Sequence, residues 1–228
     1  MNNTQFEKVI GYQFRTPEYL DRALTHSSYN KDKKTHHVDN ERLEFLGDAF
    51  FDAIVSVELF RRMGQVTEGR LTKTRAQIVC ERSLAETARR LNVGKYINMG
   101  HGEDSAGGRE KDSILADAME AIIGAIFLDG GYDEAQKFVV AAFDDTIEKA
   151  VEGKLFSDYK SEIQEVLQAK GRIVNITYKI DREEGPAHNK TFYVHLECNG
   201  QTLGYGSGKS KKEAEQQAAK AALERGDI

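Results

Sequence analysis

Four acidic side chains recur at helical spacing in one segment of the chain. Residues 39–63 have the periodicity of a helix, and a rotation of about 100° per residue places these acids within roughly 80° of one another: Glu41, Glu44, Asp48 and Asp52. Like charges one turn apart destabilise a helix by about 0.2–0.5 kcal/mol per pair, whereas a hard divalent cation bound by carboxylates offsets that repulsion. The segment therefore predicts either a metal site or, more simply, an acidic helix face in contact with solvent.

A second acidic pair lies in a later helix. Residues 112–128 have helical periodicity, and Asp117 and Glu120 share one face because they are three positions apart. The residues around this pair are small: Ala116, Ala121 and Gly124. Small side chains permit two helices to pack closely, and they also leave room for an ion and a phosphate backbone. Both interpretations are compatible with the sequence.

Carboxylates from two helices, with water completing an octahedron, are suited to Mg²⁺ or Mn²⁺. Zinc is disfavoured because no cysteine or histidine pairs with partners at the spacing of zinc ligands. A divalent cation lowers the pKa of a bound water and clamps phosphoryl oxygens, and phosphodiester hydrolysis requires both effects. Because acids without their ion repel phosphate, metal binding and nucleic-acid binding are expected to be coupled.

The apolar faces of the two acidic helices predict a shared core. In the first helix the predicted apolar stripe, opposite the acids, consists of Leu43, Leu46, Phe50, Ile54 and Val57. In the second helix the predicted packing face consists of Leu115, Ala118, Ile122 and Ile126. Phe45 lies beside the acids and off the stripe, as an aromatic side chain that enters a partner would.

The first part of the chain is predicted to be all-α, because no strand-like alternation appears before residue 172. Thr67 is the predicted N-cap of one helix, and a capping box at Ser83 predicts the start of another. Residues 98–111 contain several glycines and are predicted to form a flexible loop.

The second part of the chain, residues 158–228, changes to an α+β pattern. A helix over 158–169 precedes three alternating segments, and Asn199-Gly200 predicts a tight hairpin turn between the last two. A closing helix begins near residue 210. The order α-β-β-β-α predicts a three-stranded antiparallel sheet with two helices on one face.

Charge and cysteine content restrict the environment and the partners. Residues 158–228 hold 11 basic and 11 acidic residues, so the whole net charge of −5 belongs to residues 1–157. Affinity for a nucleic acid must then come from local clusters. Cys80 and Cys198 lie in apolar segments of different halves and are predicted to be buried free thiols in a reducing compartment. No signal-like segment or apolar run of 18 residues is present, so a cytoplasmic protein is expected.

Polar residues of the second part predict a surface for phosphates. Gln164 and Gln168 share a helix face, and the loop carrying His188 is longer than a hairpin requires. Three lysines open the last helix, where main-chain N–H groups also attract anions: Lys209, Lys211 and Lys212. Since lysines at that end oppose the helix dipole, phosphate contact explains them better than stability does.

Both parts of the chain resemble known families. The run ERLEFLGDA over residues 41–49 resembles the signature of bacterial ribonuclease III, an endonuclease that cuts double-stranded RNA. Residues 158–228 resemble a double-stranded-RNA-binding domain in element order, in the glutamines of the first helix and in the lysines of the last. The resemblance implies an all-α catalytic and dimerisation domain over residues 1–150, a linker over 151–157 and an RNA-binding domain over 158–228.

The same resemblance assigns roles to the acidic residues. It implies that Mg²⁺ is held by Glu44, Asp48, Asp117 and Glu120, with Asp48 and Glu120 as the catalytic pair. Glu41 and Glu68 would lie farther out and serve a second ion or the RNA. Asp52 has no counterpart in the family pattern, and no role is assigned to it.

The remaining implied roles concern RNA and the partner subunit. Minor-groove 2′-hydroxyls would contact Gln164, Gln168 and His188, and phosphates would contact Lys209, Lys211 and Lys212. Phe45 would enter the partner of a homodimer, which places one site at each strand of a duplex. The implied activity is a staggered cut that leaves 3′ overhangs with 5′-phosphate and 3′-hydroxyl ends, used to process ribosomal, messenger and transfer RNA precursors.

Two other functions are compatible with parts of this pattern. A regulatory protein that binds duplex RNA would retain the second domain and use the acids only structurally. A different phosphohydrolase on an all-α scaffold is a weaker alternative, because the attached RNA-binding module would have no purpose. Cleavage of duplex RNA that depends on Mg²⁺ distinguishes the nuclease from the binding protein.

Overall fold

A computed structural model describes residues 3–33, 39–155, 159–169, 175–186 and 190–225. The chain forms two compact units, Met1–Phe156 and Ser157–Ile228. The described helices of the first unit are α1 (Asn3–Ile10), α2 (Pro17–Ala23), α3 (Ser27–Lys33), α4 (Glu41–Arg62), α5 (Glu68–Ile78), α6 (Glu81–Arg90), α7 (His101–Ser105), α8 (Asp112–Gly130) and α9 (Tyr132–Val151). This confirms the all-α prediction for the first part of the chain.

Helix α8 is the centre of the first unit. It is apolar on nearly every side, as expected of a helix surrounded by others, and α2, α4, α6 and α9 pack around it. Its buried residues extend from Ile114 to Ile126. Although α8 is apolar, no helix in the described part of the chain is both long and apolar enough to cross a membrane.

Helices α4 and α8 touch through their backbones at two glycines. A Cβ atom on Gly47 would lie 1.8 Å from the carbonyl oxygen of Glu120, and one on Gly124 would lie 2.3 Å from the carbonyl oxygen of Leu43. Main-chain atoms cannot rotate away from such an overlap, so the two helices approach this closely only because both positions lack a side chain. The contact brings the acidic segment of α4 directly against the acidic segment of α8.

The buried face of α4 differs from the predicted stripe. Leu46, Phe50 and Val57 are only half-buried. The buried residues are instead Leu43, Gly47, Phe51, Ile54, Val55, Glu58 and Leu59. The glycine contact explains the difference, because it turns Gly47 toward α8 and rotates the buried face with it. The acids of α4 therefore flank the buried face and do not lie opposite it.

The prediction of a flexible loop over residues 98–111 was wrong. This segment contains α7 and a 3₁₀ turn at Gly108–Glu110. Ion pairs fold the segment onto itself: Arg109 binds Asp104 at 2.7 Å, and Lys111 binds Glu103 at 2.5 Å. The arginine also donates to the carbonyl oxygens of Gly94 and Ile97. The flexible loop was predicted from the glycines of this segment, and glycine content gives no sign of contacts between charged groups.

The helix starts were predicted with mixed success. Helix α5 begins after Thr67, as predicted, and the Thr67 hydroxyl accepts a hydrogen bond from the Arg70 amide at 3.4 Å. Helix α6 begins at Glu81 and not at Ser83, which is buried inside the helix. Helix α3 had not been predicted at all. Local capping signals therefore located helix starts only where the cap residue itself has extended backbone.

The second unit has the predicted α-β-β-β-α order. Its described elements are α10 (Tyr159–Ala169), β1 (Ile176–Glu184), β2 (Thr191–Cys198), β3 (Gln201–Gly208) and α11 (Lys211–Arg225). The strands form an antiparallel sheet in the order β1-β2-β3. Asn199 and Gly200 have positive φ angles of 51° and 84°, the geometry of a two-residue hairpin. Together α10, α11 and the sheet bury a small core: Ile163, Leu167, Val194, Leu196, Ala214, Ala218, Ala219 and Ala222.

The glycine contact can be tested by adding one methyl group. We expect Gly47→Ala to lower the free energy of unfolding by about 1–3 kcal/mol or more, because the new Cβ overlaps the main chain of Glu120. Urea denaturation followed by circular dichroism measures this change. Gly69→Ala in α5 is the matched control: its Cβ would meet nothing within 4 Å, and alanine favours a helix by up to about 1 kcal/mol. Equal losses in both variants would contradict the role of the contact.

Candidate metal centre and nucleic-acid surface

Three carboxylates from α4 and α8 converge beside the glycine contact. One ligand oxygen from each of Glu44, Asp117 and Glu120 lies within 4.8 Å of the others, and all three side chains are half-buried. Such a set of carboxylate oxygens suits a hard divalent cation such as Mg²⁺ or Mn²⁺. The residues present therefore fit the kind of ion that was predicted from the sequence.

The carboxylates raise one another's pKa. Burial, followed by the nearby charges of Asp48, Glu44 and Asp117, raises the pKa of Glu120 to about 8. The pKa of Glu44 is also raised, first by burial and then by Asp117, Glu41 and Asp48. Without a cation the cluster therefore holds a proton at neutral pH. A bound cation would remove this repulsion and favour the ionised form.

Asp117 has a different electrostatic environment. Burial raises its pKa, but the nearby His26 side chain opposes that rise, while Glu81 and Glu41 add to it. Neither His26 nor Glu81 was identified from the sequence. They come from the segment between α2 and α3 and from the start of α6, so no helical spacing connects them to the acids of α4 or α8.

The other predicted acids are related to this cluster in different ways. Within the described residues, the group of three converging carboxylates does not include Asp48, Glu41 or Glu68. Asp48 and Asp52 are close enough to Glu120 to raise its pKa. Glu68 is exposed on α5 and accepts a hydrogen bond from the Thr72 hydroxyl at 2.7 Å. The roles of Asp48 as a ligand and of Glu41 and Glu68 as outer acids stay predictions.

Phe45 projects from α4 into solvent. Its side chain is 80% exposed, although it follows Glu44 directly. By contrast, Phe50 stacks on Phe127 of α8 with ring centroids 3.5 Å apart. Phe60, near the end of the same helix, is also 72% exposed. This exposure makes the Phe45 ring available to a partner, although single exposed apolar side chains are common on protein surfaces.

An open groove in the second unit collects several of the residues predicted to bind RNA. Gln164 and Gln168 of α10 and Lys212 of α11 line it together with Lys160, Ser161, Asn175, Ile176, Tyr178 and Gln216. Both glutamines and Lys212 are exposed. The groove therefore offers amide, hydroxyl and ammonium donors on one surface, which suits 2′-hydroxyls and phosphates.

The start of α11 is capped more fully than the sequence suggested. The Ser210 hydroxyl accepts from the Glu213 amide at 3.1 Å, and the Glu213 carboxylate accepts from the Lys209 amide at 2.6 Å. The N–H groups expected at the start of α11 are therefore not all available to an anion, because the Ser210 hydroxyl already accepts from one of them. Lys209 and Lys211 remain exposed. His188 lies outside the described residues.

Comparisons with known proteins match both units. A family model described as Ribonuclease-III-like matches residues 16–146, and a double-stranded RNA binding motif matches residues 159–225. Ribonuclease 3 of Clostridium perfringens is 47% identical over 226 residues, covering 99% of this chain and 94% of that one. Ribonuclease 3 of Caldanaerobacter subterraneus is 45% identical over 220 residues, 96% of each chain. A solved structure of the ribonuclease III nuclease domain from Campylobacter jejuni is described as flexible in a region involved in dimer formation. It has a TM-score of 0.60 and 42% identity, covering 63% of this chain and 97% of that chain.

The raised pKa of Glu120 predicts how the stability of the metal-free protein depends on pH. The unfolded chain releases this proton near the ordinary value of 4.5, whereas the folded chain keeps it to about pH 8. Because the folded state holds more protons within that window, the free energy of unfolding should fall as the pH rises from 4.5 to 8. Urea denaturation in EDTA at several pH values measures the slope.

Glu120→Gln should flatten this slope and raise the stability near pH 8 by on the order of 1–2 kcal/mol, once solvent screening of a partly exposed group is considered. Glu68→Gln is the control, because Glu68 lies on the exposed side of α5. If the slope in Glu120→Gln equals that of the unaltered chain, the carboxylates do not repel one another as described.

Proposed function

Because this chain belongs to the ribonuclease III family, and is accordingly an endoribonuclease specific for double-stranded RNA, we propose that it hydrolyses RNA phosphodiesters with Mg²⁺ bound at the acidic cluster. The observation that carries this proposal is the convergence of Glu44, Asp117 and Glu120 within 4.8 Å. A bound Mg²⁺ supplies a water of lowered pKa and neutralises charge on the phosphoryl oxygens.

The chain's own residues would hold the ion and control a proton. Glu44, Asp117 and Glu120 supply oxygens from two helices, and Asp48 is proposed as a fourth ligand that acts with Glu120 as the catalytic pair. Since the pKa of Glu120 is about 8 without an ion, its carboxyl group must release a proton when the ion binds. Metal affinity should therefore increase with pH up to about that value.

Recognition of the duplex is assigned to the second unit. We propose that Gln164, Gln168 and His188 contact minor-groove 2′-hydroxyls, while Lys209, Lys211 and Lys212 contact the phosphates. The groove that contains both glutamines and Lys212 supports this proposal. Because side chains cannot read the deep major groove of duplex RNA, recognition should depend on shape more than on sequence.

A homodimer would provide two sites for the two strands of a duplex. The relative from Campylobacter jejuni is described with a region involved in dimer formation, and Phe45 is exposed beside the acids of α4. We propose that Phe45 enters a partner subunit through a two-fold interface. Two sites related by this axis would cut the strands at staggered positions and leave 3′ overhangs with 5′-phosphate and 3′-hydroxyl ends.

The proposed substrates are structured transcripts, including precursors of ribosomal, messenger and transfer RNA. The outer acids Glu41 and Glu68 are proposed to serve a second ion or the RNA during this reaction. Cys80 and Cys198 are both free thiols, but they are half-buried and not fully buried as predicted. Free thiols support a reducing compartment and hence the proposed cytoplasmic location.

Cleavage and binding can be separated with one substitution. Glu120→Gln should reduce Mg²⁺-dependent cleavage of duplex RNA by about 100-fold or more, the range typical of a catalytic side chain, because it removes a ligand and an ionisable group. A denaturing gel with and without Mg²⁺ measures cleavage, and a gel shift in Ca²⁺ measures binding, which should be retained. If the unaltered chain binds duplex RNA but never cuts it with Mg²⁺, the chain is instead an RNA-binding regulator.

The proposed dimer contact is tested by Phe45→Ala. Removal of a ring that enters the partner should weaken dimerisation by about 10-fold or more, which sedimentation velocity across a dilution series measures. Phe60→Ala is the matched control, since this ring is similarly exposed on the same helix and should leave the dimer unchanged. Phe45→Ala that sediments as a dimer at every concentration would exclude this role.

A further inference from the structure

His26 approaches the acidic cluster from outside the two acidic helices. Its backbone amide donates to the Asn98 carbonyl at 3.0 Å, and the carbonyl of the preceding Thr25 accepts the Asn40 amide at 2.9 Å. Asn40 is the residue immediately before α4. These bonds hold His26 beside the end of α4 that carries the first acids. The imidazole ring is also near enough to Asp117 to act on that carboxyl group electrostatically.

Hydrogen bonds on one side of the ring determine where its proton lies. The Ser28 hydroxyl accepts the Gly100 amide at 3.0 Å and lies 2.8 Å from Nδ1 of His26. The Ser28 amide donates to Nδ1 at 3.3 Å, so Nδ1 carries no hydrogen. The Ser28 hydroxyl must then be the donor in its own contact with Nδ1. Nδ1 is therefore an acceptor, and the neutral ring carries its hydrogen on Nε2.

The Nε2–H group of His26 is a hydrogen-bond donor, which ionised carboxylates are not. Among the charged side chains that act most strongly on Glu44, Asp117 and Glu120, His26 is the one basic group, and the others are carboxylates. Carboxylates and phosphate oxygens are both acceptors. A phosphate at this site would thus meet ions and acceptors from α4 and α8, but no donor from these acids.

One acidic neighbour other than Asp117 could compete for the ring. Glu103 also senses His26, but hydrogen bonding to Lys111 is the main cause of its lowered pKa. The Lys111 ammonium binds the Glu103 carboxylate at 2.5 Å. Glu103 is therefore already paired. Nε2 of His26 has no hydrogen-bond partner among the described residues.

We propose that His26 is a substrate-contacting residue of the nuclease site, whose Nε2–H group donates a hydrogen bond to a non-bridging oxygen of the scissile phosphate. This inference rests on the proposed function of the acidic cluster. The bond is strongest when negative charge accumulates on the phosphoryl oxygens, so His26 acts on kcat more than on RNA affinity. Ser28 acts through His26 and is a positioning residue.

Two amide substitutions separate contact with the substrate from a structural role. In His26→Gln the side-chain amide reaches the position of Nε2, and in His26→Asn it reaches the position of Nδ1, where it keeps the contact with Ser28. We expect His26→Asn to lower kcat by about 100-fold and His26→Gln to retain at least ten times the kcat of His26→Asn. The measurements are kcat and KM on duplex RNA with Mg²⁺, together with the thermal midpoint of each variant.

A sulfur substitution at the phosphate provides a second readout. The cut position is read from the products of the unaltered chain, and a phosphorothioate is then placed there in each configuration. Replacing the oxygen that accepts from Nε2 should slow the unaltered chain and slow His26→Asn several-fold less. This result supports the proposal even if both variants lose equal activity.

Results that would overturn the role of His26 differ from the result that would overturn the proposed function. Unchanged kcat in both variants overturns the proposal, and so does greater loss in His26→Gln than in His26→Asn, which would indicate that only the Ser28 contact matters. Reduced kcat with an unchanged phosphorothioate effect also overturns it. If the unaltered chain does not cut duplex RNA with Mg²⁺, the proposed function itself has failed, and that result is seen before any variant is compared.

Discussion

The backbone contact between α4 and α8 is the constraint on which the rest of the first unit depends. Two helices that meet at Gly47 and Gly124 approach closely enough for carbonyl oxygens to occupy the space of the missing side chains. Acids one turn away on each helix must then face one another. The same contact explains why the buried face of α4 includes a glycine. The packing of the core and the geometry of the candidate metal centre therefore have a single origin.

This arrangement places stability and function in opposition. Burial and mutual repulsion disfavour ionised Glu44 and Glu120, so the protein without its ion carries an electrostatic penalty in the middle of its main helix contact. The apolar core around α8 offsets that penalty, with Phe51 and Phe143 fully buried and in contact nearby. When a divalent cation binds, the same carboxylates become its ligands, and their attraction to the ion replaces their repulsion of one another. The second unit contains no comparable cluster among its described residues and needs only a small core to present polar side chains.

The sequence predicted what depends on local spacing and missed what depends on contacts between distant segments. Asp117 and Glu120 could be paired because three positions in a helix determine a shared face, and Asn199-Gly200 could be assigned because few residues adopt positive φ. Phe51 was missed as a core residue because the rotation of α4 is fixed by α8, which no periodicity within α4 encodes. His26 and Glu81 were missed for the same reason: each reaches the cluster from an element whose own pattern gives no sign of it.

The glycine contact also limits which substitutions evolution can combine in this chain. At most helix crossings a larger residue on one helix is accommodated by a smaller residue on the other. Here the atoms opposite Gly47 and Gly124 belong to the main chains of Glu120 and Leu43, so no change of the facing side chain makes room. A change at one position therefore cannot compensate for a larger residue at the other, and each position must remain glycine. Second-site suppressors of a change at either position should therefore be absent from the opposite helix face, and any that exist should act by altering how the two helices are spaced.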